Sequence, residues 1–159
     1  MKRATTVLLV LLALAGLVVL GAQFGLLRGS APDDLGVKDG RLKAPSTRPN
    51  SVSSQADLWP EHPRRESARI APLASGAATF TRLRTLLATW PGATLVTARD
   101  DYLYVQFSTP LMKYTDDTEF WLDPAAGVVQ VRSASRLGYR DFDANRKRIE
   151  ALRERLQGG

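Results

Sequence analysis

Cysteine is absent from all 159 residues, and histidine occurs once, at His62. The first absence excludes disulfides, thiolate zinc sites, iron–sulfur ligation, a cysteine-linked lipid and a cysteine nucleophile. The second leaves no histidine-rich metal cage. No loop of oxygen ligands surrounds Asp116, Asp117 and Glu119, so neither a metal nor a cofactor is expected. A strong basic stripe is lacking too. Of 22 Lys+Arg and 16 Asp+Glu, residues 1–28 hold Lys2, Arg3 and Arg28 and no acid, which leaves 19 bases against 16 acids in the remainder. That balance, without aromatic or motif support, argues against a nucleic-acid partner.

One long hydrophobic run is present. Residues 4–27 carry no charge and are rich in Leu, Val and Ala. As a helix rising about 1.5 Å per residue they reach roughly 36 Å, enough for a ~30 Å hydrocarbon core with some tilt. Lys2 and Arg3 ahead of the run place the N-terminus in the cytoplasm and export the chain beyond Arg28. The run exceeds the ~7–15 residue apolar core of signal peptides, which favours a single-pass anchor; a signal peptide cleaved near Ala22 is the alternative. The expected division is 1–28 anchor, 29–76 extended segment and 77–159 folded domain.

In residues 29–76, Pro32, Pro45, Pro49, Pro60, Pro63 and Pro72 forbid long helices and central strands. Leu35, Val37, Leu42, Val52, Leu58, Trp59, Ile70 and Leu73 within it predict that part of the segment packs on the domain. Phe80, Leu83, Leu86, Leu87 and Trp90 recur at helical spacing over 77–90, before Pro91-Gly92. Alternating runs at 93–98 and 102–108 flank a turn at 99–101, and runs at 118–123 and 128–133 flank 124–127. A four-residue loop sets Leu122 opposite Val129, Phe120 opposite Val131, Trp121 opposite Gln130 and Glu119 opposite Arg132. Apolar then meets apolar and acid meets base, whereas a slip by one residue inverts every face. A last helix over 141–156 places Phe142, Asn145, Ile149, Leu152 and Leu156 on one seam, with Asp141 or Asp143 as its cap.

The predicted fold is α+β: a four-stranded antiparallel meander with two helices on its Leu103/Val105/Phe107 face, in the order α-β-β-β-β-α. The opposite face, with Tyr102, Tyr104, Gln106, Glu119, Trp121, Gln130 and Arg132, is left partly uncovered. Residues 35–73 either cover its aromatic patch or leave an open recognition surface; partial cover is favoured.

Residues 35–40 (LGVKDG), Pro49-Asn50 with residues 52–55 (VSSQ), Asp116-Asp117 before Glu119-Phe120, and residues 132–153 (RSASRLGYRDFDANRKRIEALR) together resemble the domain of unknown function 1499 family. The resemblance spans about 35–153 and implies a fold and an envelope-type setting, with no established reaction. Relatives resemble Cys-Pro-x-x-Pro-Asn-Cys where this chain reads residues 45–51 (PSTRPNS), so both thiols are missing. They also resemble Tyr-Leu-His-x-Glu where it has Tyr102-Leu103-Tyr104-Val105-Gln106, which removes a histidine/carboxylate pair and argues against an enzyme.

The densest polar set is Arg132, Arg136, Arg140 and Arg146 with Asp116, Asp117, Glu119, Asp141 and Asn145. Converging guanidiniums could grip a phosphate or carboxylate; the same groups can pair internally, with Glu119 on Arg132 and with Asp141 or Asn145 bracing 135–140. The neighbouring acids are numerous enough to favour internal pairing. Arg146-Lys147-Arg148 reads as a solvated helix face or as a contact for anionic lipid headgroups. Ser51, Ser53 or Ser54 with His62 lacks a nucleophile elbow, and no catalytic residue is assigned. The resulting expectation is a non-catalytic, membrane-anchored exported domain. It binds an envelope protein or an anionic ligand through Tyr102, Tyr104, Trp121 and the arginine set, or serves structurally. The alternative is a hydrolase or lyase for an anionic envelope substrate, built on the Asp/Glu/Arg cluster.

Overall fold

The computed structural model describes residues 2–73 and 76–158. Helix α1 (Lys2–Gln23) is followed by a three-residue strand β1 (Ser51–Ser53), a 3₁₀ turn (Ala56–Leu58) and the single-turn helix α2 (Arg65–Ala68). Helix α3 (Ala77–Ala88), strands β2 (Ala93–Ala98), β3 (Tyr102–Ser108), β4 (Thr115–Asp123) and β5 (Val128–Ser135), and helix α4 (Ala144–Gln157) complete the chain. α1 is long and apolar enough to cross a membrane, and its apolar side chains are exposed, as at Leu9 (61 %) and Leu17 (62 %).

The sheet has five strands in the order β1-β5-β4-β3-β2, all antiparallel, rather than four. β1 pairs Val52 with Ser133 and Ser53 with Arg132. Three residues just after Pro49, with one apolar side chain among them, are too few for alternation to register. β4 begins at Thr115 rather than 118, because Asp116 and Asp117 pair with Phe107 and Gln106 of β3 despite their low strand propensity. The β4–β5 register is the expected one: Leu122 faces Val129, Phe120 faces Val131, Trp121 faces Gln130 and Glu119 faces Arg132.

α3 and α4 lie on the Leu103/Val105/Phe107 face. Phe80, Leu83 and Leu87 of α3 and Ile149, Leu152 and Leu156 of α4 pack there with Phe120, Val129 and Val131. α4 starts at Ala144 rather than 141, since Phe142 (φ 52°) and Asp143 (φ 63°) are left-handed and cannot continue a right-handed turn. Asp141, not Asp143, braces this start, accepting from the backbone N–H groups of Asp143 (3.2 Å) and Asn145 (3.0 Å).

The opposite face is closed. Leu42, Tyr102, Tyr104 and Trp121 form a second buried cluster, with Leu35 and Val37 packed against it. The cover comes from residues 35–44, while Val52, Ile70 and Leu73 turn into the helical core. Leu73 reaches it by donating its N–H to the Val129 carbonyl (2.9 Å).

At the start of β2, Gly92 has φ +76°, and a Cβ there would stand 2.6 Å from the Ser108 carbonyl oxygen. Gly92→Ala is expected to lower stability by about 2 kcal/mol, from the left-handed penalty and the displaced backbone. A urea midpoint equal to that of the parent protein would show that the β2–β3 edge yields freely.

Candidate functional site

Strand alternation sorts the acids first. Neighbouring residues on a strand point to opposite faces, so Asp116 opposes Phe107 on the helical side while Asp117 and Glu119 lie on the covered side with Tyr104 and Tyr102. A site drawing on all three acids together is therefore not assembled. Each is matched to its own arginine.

Asp117 takes the Arg136 guanidinium through two bonds, Nε to Oδ2 (2.8 Å) and Nη2 to Oδ1 (2.7 Å). Tyr104 donates its hydroxyl to Asp117 Oδ1 (2.6 Å) and accepts from Gln106 Nε2 (2.9 Å). The Asp117 carboxylate holds Arg136 above its ordinary value, and burial, followed by the bond to Asp117, raises the Tyr104 phenol.

Glu119 and Arg132 face each other across β4 and β5, with Oε2 and Nη1 3.6 Å apart and side chains 0 % and 5 % exposed. Glu119 Oε1 accepts from the Gly36 N–H (2.7 Å) and the Tyr102 hydroxyl (2.8 Å). Arg132 donates Nε to the Ala44 carbonyl (3.0 Å). Both charged groups thus close onto the covering segment. Burial pushes the Glu119 carboxyl up and Arg132 down, against their mutual attraction. Tyr102 is raised strongly by burial, then by the Glu119 charge. Glu119 Oε2 and Arg132 Nη1 have no hydrogen-bond partner among the described residues.

Asp116 binds Arg148 (Nη2 to Oδ2, 2.6 Å), whose guanidinium stacks 4.6 Å from the centre of the Phe107 ring. Sequence reasoning placed Arg148 in a charge run and missed this role. The available signal was its position one residue before Ile149, at the edge of the α4 seam.

Asn145 is fully buried and joins three elements. Its Oδ1 accepts from Ser133 Oγ (2.5 Å) and Arg148 Nη1 (2.9 Å). Its Nδ2 donates to the Asn50 carbonyl (3.2 Å), Ser135 Oγ (3.0 Å) and Asp141 Oδ2 (2.8 Å).

The four arginines of the sequence set do not converge. Arg132 and Arg136 serve the covered face, and Arg140 is exposed in the loop before α4. Arg146 donates to the backbone carbonyls of Ser67 (3.0 Å) and Arg69 (2.9 Å) and lines a cavity of about 100 Å³ with Arg48 and Arg64. Tyr102, Tyr104 and Trp121 are buried, at 4 %, 9 % and 7 % exposure. Among the described residues no group of three His, Cys, Asp or Glu could hold a metal ion.

Residues 41–156 match the model of a family described as protein of unknown function (DUF1499). The chain belongs to that family. No curated protein and no solved structure matches it. The DUF1499 match takes in the sheet, α3, α4 and the rear of the cover, Leu42 and Ala44 included, and begins after Gly36. The positions where the sequence resemblance anticipates histidine and glutamate hold Tyr104 and Gln106, and these meet each other within the Asp117–Arg136 network.

Proposed function

We propose that this DUF1499 protein is a single-pass anchored domain on the extracytoplasmic side that acts without catalysis, as a binding or structural component of the envelope. The observation that carries this reading is the internal matching of the three candidate acids on β4: Asp117 on Arg136, Asp116 on Arg148 and Glu119 on Arg132. A general acid or base must reach a substrate atom within hydrogen-bond distance. Asp117 and Glu119 are 1 % and 0 % exposed, so no substrate touches them while the cover is seated. Of the arginine set, Arg140 is left outward for a ligand, while Arg146 is half-buried and held by the Ser67 and Arg69 carbonyls beside its small cavity. Anchoring through α1 follows from its length and apolarity, and export of the domain from Lys2 and Arg3 ahead of α1.

Active sites hold polar groups in destabilised arrangements, and neutralising one often raises stability. A structural pair behaves in the opposite way. Asp117→Asn is therefore expected to lower the unfolding free energy by about 1.5–3 kcal/mol, the range for a hydrogen bond to a charged group. A higher denaturation midpoint in that variant would mark a strained reactive site and overturn the non-catalytic reading. For topology, Ala126→Cys is expected to react with a membrane-impermeant maleimide in right-side-out vesicles, and in inside-out vesicles only after permeabilisation. The reverse pattern would place the domain in the cytoplasm.

A further inference from the structure

The chain leaving α1 is fixed against one end of the domain. Gln23 donates its Nε2 to the Leu111 carbonyl (2.7 Å). A Cβ added at Gly29 would stand 2.9 Å from Arg136 Cβ and 3.1 Å from Leu137 Cγ. The two loops met here, 109–114 between β3 and β4 and 136–143 between β5 and α4, therefore lie beside the exit of the apolar helix. The β4–β5 turn at 124–127 is at the other end of the strands.

These loops expose several large apolar side chains together, Leu111 (60 %), Leu137 (40 %), Tyr139 (61 %) and Phe142 (83 %), continuing the exposed Phe24 (82 %) and Leu26 (78 %) at the end of α1, whereas Leu58 and Val96 are exposed singly elsewhere. Phe142 holds its ring out from a left-handed backbone with φ 52°, a costly conformation for a bulky residue. An open cavity of about 560 Å³ runs among Leu27, Tyr114, Leu137 and Phe142. Exposed cations ring the patch at Arg28, Arg140 and Lys147, with half-buried Lys113. Of the acids in these two loops and at their strand ends, Asp116 is bound to Arg148 and Asp141 to Asn145, while Asp143 is exposed.

Aromatic and aliphatic tips mixed with Lys and Arg match the layered polarity of a bilayer interface, where rings sit at headgroup depth and cations meet phosphates. We propose that this end of the domain is a membrane-docking face. In it Phe142, Leu111 and Leu137 enter the acyl boundary of the bilayer that α1 crosses, and Lys113 and Arg140 lie over lipid phosphates. The proposal rests on the anchoring reading and adds to it: the domain lies on the membrane in a fixed orientation and does not swing on a tether. The occupant is lipid because the covalent continuation of the patch is itself the apolar helix.

The chain has no cysteine, so single-cysteine variants of the full protein take a fluorophore at one position only. In nanodiscs containing phosphatidylglycerol, labels at Leu12→Cys, Leu111→Cys, Phe142→Cys and Ala126→Cys are compared for quenching by a lipid-borne nitroxide and by aqueous iodide. The expected result is several-fold stronger nitroxide quenching at 12, 111 and 142 than at 126, with iodide giving the reverse order. Labels at 111 and 142 that behave like 126 while 12 remains lipid-exposed would overturn docking and leave the anchor standing. A label at 12 open to iodide would remove the anchor, and docking with it. Using both loops guards against a local disturbance at either one.

Discussion

Arg132→Met is expected to cost about 3–5 kcal/mol of stability at neutral pH, the range for stripping one partner from a buried ion pair. Methionine fills much of the space, so the loss is polar: Glu119, 0 % exposed, keeps its bonds to Gly36 and Tyr102 but loses its counter-charge, and the Ala44 carbonyl loses its donor at every pH. The pH dependence follows from the direction of its shift. Burial holds the Glu119 carboxyl above its ordinary range in the folded protein, so the folded state binds that proton more tightly than the unfolded state does. The resulting stability is fully present below the unfolded carboxyl range and is lost as pH rises through the folded value. Removing Arg132 withdraws an attraction that lowers this value and pushes it higher still. The deficit of the variant relative to the parent should therefore be smaller near pH 4, where the loss of the bond to Ala44 remains, and widen towards about pH 8. Urea unfolding of both proteins at the two pH values decides it; equal deficits would mean that Glu119 is not the stranded group. Adding Glu119→Gln should recover part of the loss, since the amide oxygen still accepts from Gly36 and Tyr102 and no unpaired buried charge remains at position 119.

Asn145→Ala is expected to cost about 3 kcal/mol, from several buried polar groups losing a partner at once and a small cavity. The amide spans β5 through Ser133 and Ser135, the entry to β1 through Asn50, and the start of α4 through Asp141. Ser135→Ala removes only one of these bonds and should cost about 1 kcal/mol. If the two variants lose the same amount by chemical denaturation, Asn145 makes one useful contact and does not lock β1, β5 and α4 together. A larger loss at Asn145 explains why a polar residue occupies a seam otherwise held by Ile149, Leu152 and Leu156.

The legible parts of the fold were those written in short-range periodicity. Leu103, Val105 and Phe107 alternate with Tyr102, Tyr104 and Gln106, and this alone assigns two faces. The pairs Phe120–Val131 and Glu119–Arg132 fix the β4–β5 register, because the turn between them is short. The helical core came from the same source. Alternation also separates Asp116 from Asp117, which divides the acid cluster by strand parity alone. Less legible were β1, too short for a pattern, and the start of α4, where two left-handed residues interrupt a sequence that otherwise reads as helix.

The sequence alone therefore determined which residues share a face, which strands pair in β4–β5, that an apolar helix precedes the domain, and that cysteine is absent and histidine occurs once. Only the tertiary structure decided that the aromatic and charged face is interior. Gly36 reaches Glu119 across 83 positions and Ala44 reaches Arg132 across 88. Contacts over such distances depend on where the whole chain runs. They leave no mark in local spacing, since an irregular proline-rich segment buries its few apolar side chains without any repeat.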